Sequence, residues 1–356
     1  MKKIINKFNV FIQFGQDNGL VFYKILPMLI LRRIFSNWRI KKIKSVAFIM
    51  PTKGIGDGII FSGLLKYFHK RNIKVIVVCA ERNVFFYNAL SSVDVVIPFT
   101  DDIHKKNIKN ICSDKIDYTI DMYGDDLRTP QRIKCLYFIN AKKSIAFNGN
   151  GVSRACFTNT IIYKELDKHL THRAEYLFNF LGLPTENIPY KIDFPKSSLK
   201  FADEFISSLK GKVISFAPFA SNYNRSLSVE KARSLALRLS DLSDVSVIIL
   251  GSKFQLNELA IGKHNIHMLP EVNFYDACAL IDKSEILLSV DTSFIHMANF
   301  FQKKCIALYN MEMWDDFTIN VVFGPGYDKA IKIVSNTYLV RDIEDEIIVN
   351  ALIEEC

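Results

Sequence analysis

Four short segments of the chain gather the residue types that can do chemistry. Gly54-Ile55-Gly56-Asp57-Gly58 follows an apolar, β-branched run and opens an amphipathic stretch. Glycines there let the backbone turn tightly and approach a ligand, and a carboxylate at that place suits a general base that takes a proton from a hydroxyl. Helix capping is the plainer role for Asp57. The segment is not a dinucleotide fingerprint, because Ile59 stands where G-x-G-x-x-G needs a small residue and an aspartate beside a phosphate would repel it. Ser289-Val290-Asp291-Thr292-Ser293-Phe294-Ile295-His296 lies where a strand passes into a helix. Thr292 and Ser293 offer hydroxyls and backbone N–H groups to a diphosphate, while Asp291 and His296 fall about one helical turn apart. A capping Asp291 and a structural histidine are the alternative.

Two further segments complete the set. Phe216-Ala217-Pro218-Phe219-Ala220-Ser221, followed by Asn224 and Arg225, leads from a strand into a polar loop. Ser221 and Arg225 there can reach a leaving phosphate, or Arg225 is a solvated loop cation. Asp121-Met122-Tyr123-Gly124-Asp125-Asp126-Leu127-Arg128 again follows a strand-like run and suits an acceptor contact, or its acids are merely hydrated.

The elements that must position these segments read as two α/β halves. Ser45–Met50, Val75–Cys79, Asp94–Ile97, Tyr118–Met122 and Ser144–Phe147 are strand runs alternating with helical stretches, which implies a parallel sheet covered on both faces. The rhythm pauses from Asn148 to Lys200 and restarts with Val213–Ala217, Val245–Leu250, Ile286–Val290 and Cys305–Tyr309. Residues 44–190 and 191–340 are thus expected to form two domains, with a closing helix over 341–356 that Asp342 caps and Ile343, Ile347, Ile348, Ala351 and Leu352 pack. Sheets of this kind bind ligands beyond the carboxyl ends of their strands, so the site is expected in the cleft between the halves.

Composition supports a globular chain of 356 residues, nearly half of them hydrophobic. The formal net charge of +9 has an address: residues 1–50 hold seven Lys and three Arg against the single Asp17, and the remainder is balanced. That distribution argues against a nucleic-acid binder, whose cations cover a folded surface. Residues 1–43 interleave those cations with Phe8, Phe11, Phe14, Phe22, Tyr23, Phe35 and Trp38, a pattern that fits either an interfacial membrane helix or a helical hairpin packed on the body. The apolar stretch Leu20–Leu31 contains Lys24 and Pro27 and is too short to span a bilayer, and no signal-peptide pattern precedes it. The seven cysteines (79, 112, 135, 156, 278, 305 and 356) are odd in number, with no C-x-x-C pair, and read as reduced core thiols.

Taken in order, the four segments resemble glycosyltransferase family 9, the heptosyltransferases of lipopolysaccharide core assembly. In that family a Gly-Asp follows the first strand, as Gly56-Asp57 does here, and an Asp-x-x-Gly with a later cation follows the fourth, as Asp121 to Arg128 do. A Pro-Gly-Ala-like turn is matched by Pro218-Phe219-Ala220, and Asp-Thr-Gly-Pro-x-His-x-Ala by Asp291 to Ala298. The chain departs where Asn224 stands for a lysine and where Ser293 and Phe294 stand for Gly and Pro. The resemblance implies a GT-B fold of two Rossmann-like domains facing a central cleft, with the basic aromatic extension added. It also implies inverting, metal-independent transfer without a cofactor. Asp57 would be the base, with Gly56, Gly58, Asp121 and Arg128 on the acceptor side. Asp291, Thr292, Ser293, His296, Ser221 and Arg225 would hold a nucleotide diphosphate sugar such as ADP-heptose. The acceptor would be a lipid-linked glycan, and the enzyme would work at the cytoplasmic face of the bacterial inner membrane, held to its anionic surface by residues 1–43. Two other functions stand beside this one: an inactive glycolipid-binding scaffold, and a nicotinamide-dependent oxidoreductase with Glu81 as the ribose contact.

Overall fold

A computed structural model describes residues 25–36, 40–51, 53–100, 115–123, 129–148, 151–165, 167–314 and 317–355. The chain divides into two compact units, one of Met1–Lys164 with His172–Ile188 and one of Glu165–Thr171 with Pro189–Cys356.

The first unit runs α1 (Leu26–Ile34), β1 (Ser45–Met50), α2 (Ile55–His69), β2 (Lys74–Ala80), α3 (Val84–Ala89), β3 (Val95–Phe99), β4 (Tyr118–Asp121), α4 (Thr129–Ile139), β5 (Lys143–Phe147), α5 (Gly151–Cys156), β6 (Asn159–Ile161) and α6 (Arg173–Leu181). Its six strands are all parallel in the order β3-β2-β1-β4-β5-β6. The order in which successive strands are laid down therefore reverses between β1 and β4, and the Gly54–Gly58 turn and the Asp121 segment leave from that switch point.

The second unit repeats the plan: α7 (Lys196–Ser207), β7 (Lys212–Ala217), α8 (Val229–Ser240), β8 (Val245–Ile249), α9 (Lys253–Leu259), β9 (Ile266–Met268), α10 (Phe274–Lys283), β10 (Ile286–Val290), α11 (Ser293–Phe301), β11 (Lys304–Tyr309), a short hairpin β12 (Met313–Trp314) and β13 (Phe317–Thr318), α12 (Ile319–Val322), β14 (Ala330–Val334) and α13 (Asp345–Glu355). The order β14-β11-β10-β7-β8-β9 puts a second switch point between β7 and β10, the strands that carry the Ser221–Arg225 and Asp291–His296 segments. The central strands are buried along nearly their whole length, which explains their unbroken β-branched and aromatic runs. Each fully covered Phe or Ile in them contributes about 1.5–3 kcal/mol.

Three local results matter for the site. Helix α2 is buried on most of its surface, and Gly58 packs directly on α3: a Cβ there would stand 2.7 Å from Tyr87 Oη and 2.8 Å from Phe86 Cε1. The closing helix starts later than its sequence suggests. Val340–Asp342 form a separate 3₁₀ turn, Asp342 accepts a hydrogen bond from the Thr337 hydroxyl at 2.6 Å, and α13 begins at Asp345 with Ile347 exposed. Of the basic extension, residues 1–24 and 37–39 lie outside the described residues. Its α1 packs Ile25 and Leu29 into the cluster that contains Ala47, Ile49 and Ile76. Cys79, Cys135, Cys156, Cys278 and Cys305 are buried and free.

Candidate active site

In the first unit the glycine turn places Asp57 in the first turn of α2, three residues past the N-cap Gly54. Its Oδ2 accepts the Gly54 N–H at 2.8 Å, so the carboxylate does serve the helix end, though from inside rather than as the N-cap itself. Its Oδ1 accepts the Tyr123 hydroxyl at 2.6 Å. Burial, and next the Asp57 charge, push the Tyr123 phenol well above its ordinary pKa, so the hydroxyl keeps its proton and donates. Lys53 Nζ sits 3.8 Å over the Tyr123 ring.

Asp121, expected to meet an acceptor, instead faces inward. It is 1% exposed; its Oδ2 pairs with Arg132 from α4, itself 3% exposed, and its Oδ1 accepts the Tyr123 N–H at 3.0 Å. Both oxygens are thus used inside the first unit, one by Arg132 and one by the Tyr123 N–H. Gly58 is likewise buried, and packing on Tyr87 and Phe86 accounts for its lack of a side chain. Gly56 is half-buried in the turn. Arg128, with Gly124 to Leu127, lies outside the described residues. Sequence reasoning assigned no role to Tyr123, Lys53, Arg132 or Arg173. Tyr123 was within the fourth segment, two residues from Asp121, but its partner stands 66 positions away.

In the second unit two of the segments meet. Arg225 Nη1 donates to Asp291 Oδ2 at 2.8 Å, and its Nη2 lies 3.4 Å from Ser221 Oγ. Asp291 is 8% exposed, whereas the Arg225 side chain keeps 29% of its surface open, so the guanidinium is the part of the pair a ligand can reach. Thr292, not Asp291, is the N-cap of α11: its Oγ1 accepts the Phe294 N–H at 3.2 Å and lies 3.0 Å from Ser289 Oγ. Ser293 opens α11 and is absent from the residues with positive φ, so nothing in this backbone requires glycine there. Phe294 stacks on Phe274 with ring centroids 6.1 Å apart.

His296 follows one turn into α11 and is 4% exposed. Burial, with His169 as a second cause, lowers its pKa to about 3, so at neutral pH it is an uncharged imidazole that hydrogen-bonds but brings no positive charge. Its Nδ1 has no hydrogen-bond partner among the described residues. The groups at this end of the sheet that offer positive potential are therefore the α11 N-terminus and Arg225. No cluster of metal-ligating side chains occurs among the described residues.

Comparison with known proteins bears on these two half-sites. The family model described as glycosyltransferase family 9 (heptosyltransferase) matches residues 108–339. A protein of Escherichia coli (strain K12) named "Putative lipopolysaccharide heptosyltransferase 4" is 23% identical over 317 residues, 87% of each chain. Among solved structures, the glycosyl transferase family 9 of Veillonella parvula DSM 2008 superposes with a TM-score of 0.70 at 15% identity, over 88% of this chain and 97% of that one. ADP-heptose lps heptosyltransferase II of E. coli gives 0.68 at 15% identity, over 87% and 98%. Such distant structural likenesses establish the fold, the GT-B class. Since the family model spans about two thirds of the sequence and takes in three of the four motifs in order, the chain belongs to glycosyltransferase family 9, the heptosyltransferase family, and is a glycosyltransferase.

Proposed function

We propose that this enzyme moves a heptose-like sugar, with inversion and without a metal, from a nucleotide diphosphate donor such as ADP-heptose to a lipid-linked glycan of the lipopolysaccharide core type. The observation that carries the reading is the fixed carboxylate of Asp57 at the first unit's switch point. An acceptor hydroxyl attacking an anomeric carbon must lose a proton, and a carboxylate with both oxygens anchored is a base that needs no reorganisation. In the second unit, Arg225 and the α11 N–H groups supply positive potential for the departing diphosphate. The donor is named from relatives: one is the E. coli ADP-heptose lps heptosyltransferase II, and another, E. coli heptosyltransferase WaaC, has been solved with ADP. The full chain offered a panel of ADP- and UDP-sugars is expected to release ADP from ADP-heptose fastest. Turnover confined to a UDP-sugar would overturn the donor assignment. Family membership sets aside the oxidoreductase alternative; Glu81 is exposed in the turn after β2.

The same proposal places the enzyme on the cytoplasmic face of the inner membrane. Helix α1 and the residues at its ends support it: while Ile25 and Leu29 face the core and Arg32 and Arg33 are half-buried, Met28 is 52%, Leu31 54%, Ile34 59% and Phe35 77% exposed. An exposed apolar stripe on a helix suits the boundary with acyl chains, and the other cations of residues 1–43 would supply the attraction to anionic headgroups. No helix among the described residues is long and apolar enough to cross a bilayer. Replacing Met28, Leu31 and Phe35 with serine is expected to lower binding to phosphatidylglycerol-containing vesicles at least tenfold in a sedimentation assay, with ADP binding unchanged. Undiminished vesicle binding would remove α1 as the contact.

A further inference from the structure

We propose that Tyr123 is a positioning residue for transfer: its hydroxyl, held in place from the buried Asp121–Arg132 pair, aims the Asp57 carboxylate. The inference rests on Asp57 as the base and assigns the fourth segment a different task from acceptor contact.

Capping α2 needs only one carboxylate oxygen. The bond from Gly54 N–H to Oδ2 fixes that oxygen and leaves the carboxylate plane free to turn about it. The Tyr123 hydroxyl on Oδ1 removes the remaining freedom, while each oxygen retains a second lone pair for an acceptor hydroxyl. Tyr123 is itself held on several sides. Its N–H is bonded to Asp121 Oδ1, and the preceding carbonyl, that of Met122, accepts from Arg173 Nη1 at 2.6 Å. Its ring lies edge-on to Phe61 with centroids 5.6 Å apart, and Lys53 covers its face. Tyr123 is only 4% exposed. A hydroxyl buried that deeply is costly unless it is paired, and phenylalanine would fill the same space; the oxygen is accounted for by its partner, Asp57. Arg132, Asp121, Tyr123 and Asp57 thus form one continuous chain from α4 to the mouth of α2, all within the first unit.

The test is a double-mutant cycle on the full chain, with ADP release from ADP-heptose as the readout. Tyr123→Phe is expected to lower kcat about tenfold, the order of one charge-assisted hydrogen bond, with the donor KM unchanged. In an Asp57→Asn background the same substitution is expected to cost nothing further, because there is no longer a base to aim. Equal losses in both backgrounds would make Tyr123 a packing residue and overturn the proposal. Full turnover in Asp57→Asn alone would overturn the reading beneath it. A readout free of donor keeps the two apart. A slowly exchanging tyrosine hydroxyl proton, seen by NMR on the ¹³C-tyrosine-labelled protein and lost in Tyr123→Phe, should also be lost or shifted in Asp57→Ala. Its persistence unshifted in Asp57→Ala would break the pairing.

Discussion

Asp57→Asn is expected to lower transfer about a thousandfold while leaving the protein folded and the donor bound. The two effects differ because the side chain does two jobs of unequal size. For the fold, Asp57 gives the Gly54 N–H a partner and places a negative charge near the α2 N-terminus. Asparagine keeps one oxygen for the hydrogen bond and loses the charge, a cost of about 0.3–1 kcal/mol. In catalysis the amide cannot accept a proton at any working pH, and loss of a general base costs about 10²–10⁴ in rate. A thousandfold is about 4 kcal/mol of transition-state stabilisation, several times the stability cost. Donor affinity should not move, since Arg225, Asp291, Thr292 and His296 all belong to the other unit. Turnover, ADP titration by calorimetry and a melting curve on the same preparation check the three expectations together. A variant that turns over at the wild-type rate would exclude Asp57 as the base, and one that fails to bind ADP would contradict the division of labour between units.

What the sequence could reveal follows from where each element lies. The interior strands β1, β2, β4, β5, β7, β8, β10 and β11 are recognised from their apolar runs because both faces are covered. The strands that sequence reasoning missed are β6, β9 and β14, all at sheet edges, and the two-residue strands of the separate β12–β13 pair. There a strand is short or partly open, and Asn159-Thr160-Ile161 or Ile266-His267-Met268 carries no long β-branched signal. The helices α5 and α6 lie in the Asn148–Lys200 stretch that read as a pause, where glycine and asparagine obscured their periodicity. The site shows the same limit. Motif order names Asp57, Asp121, Arg225 and Asp291, but their partners depend on which strands are neighbours. Arg225 meets Asp291 only because β7 lies beside β10, and Asp57 meets Tyr123 only because β1 lies beside β4. Strand order is a tertiary property, so Asp121 read as an acceptor contact although its pairing with Arg132 turns it inward.

That inward pair yields the second large effect. Asp121→Asn is expected to destabilise the first unit by about 3–5 kcal/mol, because it leaves the guanidinium of Arg132 buried without a counter-charge. Asparagine nearly preserves the volume and still offers an oxygen to the Tyr123 N–H, so the loss comes from charge rather than from a cavity. Set against a typical domain stability of about 5–15 kcal/mol, this is enough to lower the urea midpoint of the first unit markedly. A double replacement, Asp121→Leu with Arg132→Met, removes both charges and is expected to recover most of the lost stability, since a buried ion pair gives little net advantage over well-packed apolar groups. It should not recover activity. Without the Asp121 carboxylate the Tyr123 N–H loses its acceptor, the phenol is no longer held, and Asp57 loses its aim. A stable double variant with low kcat would separate the pair's contribution to the fold from its contribution to the site. If instead the single variant were as stable as the wild type, the Arg132 guanidinium would have to find another partner, and the chain from α4 to Asp57 would not be what holds the base.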